Sequence, residues 1–127
     1  MRFPGPVSAD AKWPLLAGAA LLVLPSYSEN FGNVVLEAMA VGCPVVVTPE
    51  VGAAEIVRES GAGEVVDGDP AVLGPALARL LADEPRRLAM GERGRRLVRE
   101  RYTWSAVAEQ MEQVYGNILK WRSGRVE

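Results

Sequence analysis

An α/β fold on a parallel sheet is the fold class this sequence predicts, and three observations predict it. Short apolar runs recur at 20–24, 45–48 and 64–66; segments of helical spacing fill the intervals between them; and the chain beyond residue 69 has helical periodicity alone. Strand, helix, strand, helix, strand within about 45 residues requires crossovers and therefore parallel pairing.

Each element has a local reason. Ser8 is placed to cap a helix running to Ala17, although Pro14 lies inside it. Ala20-Leu21-Leu22-Val23-Leu24 is unbroken and ends at Pro25, as expected of a strand covered on both faces. From Gly32 to Val41 the spacing is helical, and Gly42-Cys43-Pro44 stops it with a glycine and then a proline. Val45 to Thr48 is the second strand, Ala53 to Glu59 a short helix, and Glu64-Val65-Val66 the third strand. Asp69-Pro70 is a capping residue followed by proline at the first helical position, and Val72, Leu73, Ala76, Leu77, Leu80 and Leu81 form the apolar stripe behind it. A helix from Pro85 to Glu100 places Leu88, Met90, Leu97 and Val98 on its apolar side. Thr103 caps a last helix in which Trp104, Val107, Met111, Val114, Tyr115 and Ile118 recur at helical spacing. Arg2-Phe3-Pro4-Gly5 reads as the end of a further short strand, giving a sheet of about three or four strands. The chain divides into an α/β part, 1–68, and a helical part, 69–127, of one domain.

Composition narrows the chemistry. With 49% hydrophobic and 24% charged residues the 127-residue chain has the make-up of a globular domain. Its longest apolar stretches are interrupted by Gly, Pro or Glu, so no transmembrane segment is expected. The single cysteine, Cys43, has no internal disulfide partner, and the chain contains no histidine; a reducing compartment, a packed rather than reactive thiol and no metal centre are the expectations. The net charge of −2 conceals a division: residues 1–70 carry three basic and nine acidic side chains, residues 71–127 eleven and seven. The arginines between Arg86 and Arg101 are interleaved with Glu92 and Glu100 and lack aromatic neighbours, which fits a solvated helix face rather than a nucleic-acid surface.

The residues that attract functional attention are Glu29 and Glu37, with seven residues between them. On one continuous helix they would lie roughly 12 Å apart along the axis and about 80° apart around it, too far to serve one small ligand. A loop before a helix can aim both into one cleft. In open parallel sheets ligands bind beyond the carboxyl ends of the strands, where loops lead into helix N-termini, and residues 25–34 occupy such a place. Gly32 permits close backbone approach, and the amides of Gly32, Asn33 and Val34 at the positive end of the helix suit a phosphate or a set of hydroxyls. Glu37, flanked by the core types Leu36, Ala38 and Met39, must face either a cleft or a charged partner, because burying it unpaired costs several kcal/mol. Facing a cleft, it can accept two hydrogen bonds from vicinal hydroxyls such as those of a ribose; facing a partner, it is a salt-bridge residue and Glu29 a solvated one.

The string Leu24-Pro25-Ser26-x-x-Glu29-x-Phe31-Gly32-x-x-x-x-Glu37-Ala38-Met39-Ala40-x-Gly42-x-Pro44-Val45-Val46, followed by Gly52-x-x-Glu55-Ile56-Val57, resembles the C-terminal, donor-binding half of retaining glycosyltransferases of the GT-B fold, in the large family four. The likeness continues through Gly63-Glu64-Val65-Val66, Leu80-Leu81-x-Asp83, Met90-Gly91 and Tyr102-Thr103-Trp104, nearly the whole chain. It implies a Rossmann-like but incomplete GT-B domain that handles a nucleotide-sugar without a metal or other cofactor and acts in the cytoplasm, at the inner face of the membrane in a longer enzyme. By the same resemblance Glu37 holds the ribose hydroxyls, Glu29 is the catalytic residue, near the donor-sugar hydroxyls, and Phe31, Gly32, Asn33 and Val34 border the sugar and diphosphate. Asn30 and Ala53 depart mildly from the family pattern, each standing where Gly (or, at 30, Pro) is common. The family's diphosphate-clamping Arg and Lys have no match here, and Arg2, Lys12 and Arg58 are the nearest substitutes in the acidic half. The acceptor-binding domain is expected to be missing, and the chain alone to be inactive. Rival readings are a non-catalytic nucleotide-sugar-binding or interaction module and a GT-B-type nucleotide-sugar epimerase, the latter disfavoured by the absence of histidine.

The resemblance also has a consequence for assembly. In the doubly wound order 3-2-1-4-5-6 the chain would hold strands 3 to 6 and lack 1 and 2, so strand 20–24 would have no neighbour on one side. A dimer or element-exchanged assembly of the isolated chain is the expected outcome, and a monomeric mass by light scattering at high concentration is the result against it.

Overall fold

The computed structural model describes residues 5, 8–25 and 33–101. Eight elements follow in the order α1 (Ala9–Gly18), β1 (Leu22–Leu24), α2 (Asn33–Ala40), β2 (Val45–Val47), α3 (Ala54–Ser60), β3 (Gly63–Val65), α4 (Pro70–Leu81) and α5 (Glu84–Arg101). The strands form one parallel sheet in the order β1-β2-β3, with Val46 opposite Val23 on one side and Glu64 on the other. A consecutive order is what strands 4-5-6 of the doubly wound arrangement show. The strand read at residues 2–3 and the helix read from Thr103 lie outside the described residues.

β2 is the centre of the molecule. Its three valines are at most 1% exposed, and they alternate between two cores: Val45 and Val47 pack with Leu16, Val35, Met39 and Val57, whereas Val46 packs with Leu80 and Met90. Helices α1, α2 and α3 thus cover one face and α4 the other, which is why the run is continuously apolar rather than alternating. β1 is only half-buried along its length, at the edge of the described sheet.

The helix boundaries follow the capping chemistry. Ser8 Oγ accepts from Ala11 N at 3.3 Å, and Asp69 Oδ1 accepts from Ala71 N at 3.0 Å ahead of Pro70. Pro14 and Pro75 sit within α1 and α4 without ending them. At the end of α2, Cys43 N donates to Ala38 O and Gly42 N to Met39 O while Gly42 takes φ +77°, a Schellman closure.

Two predicted apolar faces are narrower than read. In α4 the inward stripe is Leu73, Ala76, Leu77 and Leu80, at i, i+3, i+4 and i+7; Val72 and Leu81, on its flanks, are 48% and 54% exposed. In α5, Leu88 is 66% exposed, and the buried positions include Gly91 and Gly94 beside Met90. The reason is the distance between helices. A Cβ on Gly91 would stand 2.2 Å from the carbonyl oxygen of Gly42, and one on Gly94 about 3.2 Å from Met39, so α5 approaches the end of α2 through glycines that hydropathy does not flag.

That contact also places the arginines. Gly42 precedes β2 and Ala62 precedes β3, so α5 lies along the amino-terminal edge of the sheet. Arg95 donates to Val41 O at 3.1 Å and Arg87 to Leu80 O at 2.8 Å, each satisfying carbonyls at a helix C-terminus. Arg79 and Arg86 both donate to Glu64. Three arginines of the basic run, Arg86, Arg87 and Arg95, are therefore structural.

Cys43 is 2% exposed, with its Sγ 3.5 Å from Pro44 O. Burial pushes its thiol above the ordinary value of 9.0, partly offset by a backbone hydrogen bond involving Leu22. Because the folded protein holds this proton more tightly than the unfolded chain, the thiol's contribution to stability is complete below pH 9.0 and is lost as pH rises past it.

Two outcomes follow. Gly91→Ala forces α5 away from Gly42 and lowers stability by about 1–3 kcal/mol or more, read as a fall in urea midpoint; an unchanged midpoint contradicts the close approach. Iodoacetamide at pH 8 leaves Cys43 unmodified in the folded chain and alkylates it in urea, which mass spectrometry checks.

Candidate functional site

Parallel strands place all their carboxyl ends on one edge. There β1 ends at Leu24 and β2 at Val47, and Thr48 N donates to Leu24 O at 3.4 Å, holding the two ends together. β1 ends at this edge, and the described part of α2 begins at Asn33. Asn33 is exposed and Val34 half-buried, whereas Val35, Ala38 and Met39 are completely buried against β2. α2 is thus anchored by one face with its N-terminus at the strand ends. Of the predicted site residues, Glu29, Phe31 and Gly32 lie outside the described residues; Asn33, Val34 and Glu37 are on α2.

Glu37 is one turn into α2. Its side chain is 27% exposed and its Oε2 lies 2.8 Å from Lys12 Nζ. Oε2 itself is shielded from solvent and makes no hydrogen bond of acceptable geometry, so at this distance the contact with Lys12 is an ion pair with poor directionality rather than a well-aligned bond. Lys12 is the fourth residue of α1 and Glu37 the fifth of α2, and each helix feeds the following parallel strand. They therefore run side by side in the same direction, with the two charges at similar depth below the edge. Leu16, one turn beyond Lys12, is buried in the same core as Val35 and Met39, which turns that face of α1 toward α2. Lys12 Nζ also stands 5.3 Å from the centre of the Trp13 ring.

Of the two alternatives at Glu37, a cleft or a charged partner, the structure shows a partner, Lys12, that still leaves the side chain partly accessible. Lys12 was visible in the sequence as one of three cations among residues 1–70, but its register against Glu37 depends on how α1 packs. Of the other candidate cations, Arg58 pairs with Glu55 on α3 at 3.0 Å, and Arg2 lies outside the described residues. A surface groove lined by Ser60, Arg93, Arg96, Leu97 and Glu100 lies between the end of α3 and α5, on the amino-terminal side of the sheet. Among the described residues no group of three His, Cys, Asp or Glu could hold a metal ion, and no helix is long and apolar enough to cross a membrane.

Comparison with known proteins bears on the same segment. A D-inositol 3-phosphate glycosyltransferase of Salinispora tropica is 39% identical over 120 residues, 94% of this chain and 25% of that protein. One of Thermobispora bispora is 39% identical over 118 residues, 92% of this chain and 27% of that protein. Among solved structures, sucrose-phosphate synthase of Thermosynechococcus elongatus superposes with a TM-score of 0.76 at 36% identity, over 83% of this chain and 27% of its own. The glycosyltransferase WaaG, involved in lipopolysaccharide biosynthesis, does so with a TM-score of 0.59 at 34% identity, over 65% of this chain and 23% of its own. The chain spans about a quarter of the length of the curated relatives it matches. The family described as glycosyl transferases group 1 matches residues 1–97, and with these GT-B neighbours in sequence and structure the chain belongs to that family.

Proposed function

We propose that this chain is the donor-binding part of a retaining glycosyltransferase that moves a sugar from a nucleotide-sugar to an acceptor such as a glycan or a lipid-linked sugar. The observation that carries the reading is the position of Glu37: a partly exposed carboxylate one turn below the N-terminus of α2, the next described element after the carboxyl end of β1. It stands within the Glu29-x-Phe31-Gly32-x-x-x-x-Glu37 pattern of a chain that belongs to the family.

In this reading Glu37 accepts hydrogen bonds from the ribose hydroxyls, Glu29 lies against the donor sugar, and the amides around Phe31, Gly32, Asn33 and Val34 border sugar and diphosphate. The positive end of α2 favours the negative charge that grows on the departing diphosphate. The leaving phosphate in turn takes the acceptor's proton on the face from which it departs, so configuration is retained, and no metal is required. Lys12 and Arg58 are each paired with a glutamate; we therefore assign the cations that neutralise the diphosphate, and the acceptor site, to other parts of a longer enzyme. The reduced, buried Cys43 suits a cytoplasmic setting.

The ion pair at Glu37 favours one second reading, a binding or interaction module in which this carboxylate is only an interhelical link. Titration with uridine and guanosine diphosphates separates the two. Loss of hydrogen bonds to a charged group, about 1.5–3 kcal/mol, predicts that Glu37→Ala weakens binding by roughly 10- to 100-fold; unchanged binding by a folded variant favours the module. The 127-residue chain by itself is expected to turn over no nucleotide-sugar, and measurable transfer in a radiolabelled-sugar assay contradicts that assignment of roles.

A further inference from the structure

A carboxylate that receives two vicinal hydroxyls has to present its oxygens in one orientation, and a glutamate side chain has three torsions with which to lose it. At Glu37 one oxygen is already taken. Oε2 is shielded from solvent and faces Lys12 Nζ at 2.8 Å, while the side chain as a whole stays 27% exposed, so its accessible part lies away from Lys12. Lys12 is held in turn, with its Nζ over the Trp13 ring and the buried Leu16 fixing the face of α1 that carries it. The contact joins two helices that both begin at the ligand-binding edge of the sheet.

From this geometry we propose that Lys12 is a positioning residue for the donor site: it holds one oxygen of Glu37 so that the rest of the carboxylate is presented to the ribose hydroxyls. The inference rests on the donor-site reading above. It differs from a plain link between α1 and α2, because a link would affect stability without affecting which nucleotides bind, and from a diphosphate clamp, because Lys12 acts through Glu37 rather than on phosphate.

The test titrates the chain calorimetrically with uridine, guanosine and adenosine diphosphates and with their 2′,3′-dideoxy counterparts, as wild type, Lys12→Met, Lys12→Arg and Glu37→Ala, with circular dichroism confirming the fold of each. The wild type is expected to prefer the ribose form of its nucleotide by about tenfold or more, the scale of a hydrogen bond to a charged group. Lys12→Met loses most of that preference with dideoxy binding unchanged, and Lys12→Arg keeps most of it. Where Lys12→Met does not fold, Lys12→Gln gives the same comparison. A folded Lys12 variant with undiminished ribose preference, or with tighter ribose binding, overturns the role of Lys12 and leaves that of Glu37 standing. A wild type without ribose preference, or a Glu37→Ala chain that keeps it, overturns the donor-site reading and the role of Lys12 with it.

Discussion

Burial of β2 on both faces is the constraint from which the arrangement of the other elements follows. Val45, Val46 and Val47 have almost no exposed surface, and because successive side chains point to opposite faces of a sheet, this demands a helical layer on each side. Burying each valine is worth about 1.5–3 kcal/mol, but the larger effect is geometric. A parallel strand can be fed only by a crossover, so α2 has to begin at the carboxyl edge and end at the amino edge. Val35, Ala38 and Met39 lock that helix onto Val45 and Val47. Glu37, between Val35 and Ala38 in sequence, is thereby carried to a helix flank that the core does not cover.

The two edges of the sheet are used differently. At the amino edge, α5 meets the end of α2 through Gly91 and Gly94, with Arg95 on the Val41 carbonyl and Arg87 on those that end α4. Guanidinium groups there satisfy backbone acceptors that have no partner within their own helix. At the carboxyl edge the described residues that follow β2 and β3 include the acids Glu50, Asp67 and Asp69, and the positive end of α2 and Lys12 supply the positive charge nearest Glu37. The division of charge between the two halves of the sequence is therefore spatial as well: Arg86, Arg87 and Arg95 of α5 serve as fasteners on the side away from Glu37.

How far the sequence could be read varies with the kind of interaction. The strands read at 20–24, 45–48 and 64–66, the Ser8 and Asp69 caps and the Gly42 stop depend on chemistry within a few residues, and the structure has each of them, with the strands at 22–24, 45–47 and 63–65. Leu88, Val72 and Leu81 were misplaced because apolar character indicates which residues can be buried, not which neighbour will cover them. Gly91 and Gly94 carry the opposite lesson: a helix interface made of absent side chains has no hydropathic signature. At the candidate site, the pattern from Leu24 to Val46 identified Glu37 and left open what it faces. Whether Lys12 could reach Glu37 depended on the rotation of α1 about its axis, which is set by Leu16, a contact between segments distant in sequence.

That pairing sharpens what a ligand would have to do at this edge. A partly exposed ion pair is usually worth no more than about 1 kcal/mol, so the contact between Lys12 and Glu37 is too weak to serve as the main support of the α1–α2 packing, which the buried Leu16, Val35 and Met39 already provide. Yet the shielded Oε2 would lose its nearby charge if Lys12 turned away, and desolvation makes an unpaired carboxylate oxygen costly. An arrangement weak in net stability acts mainly on geometry, by favouring the orientation that keeps Oε2 beside Lys12. Hydroxyl groups arriving at Glu37 would meet a carboxylate whose orientation is already restricted, and binding would lose less side-chain entropy than it would at a free glutamate.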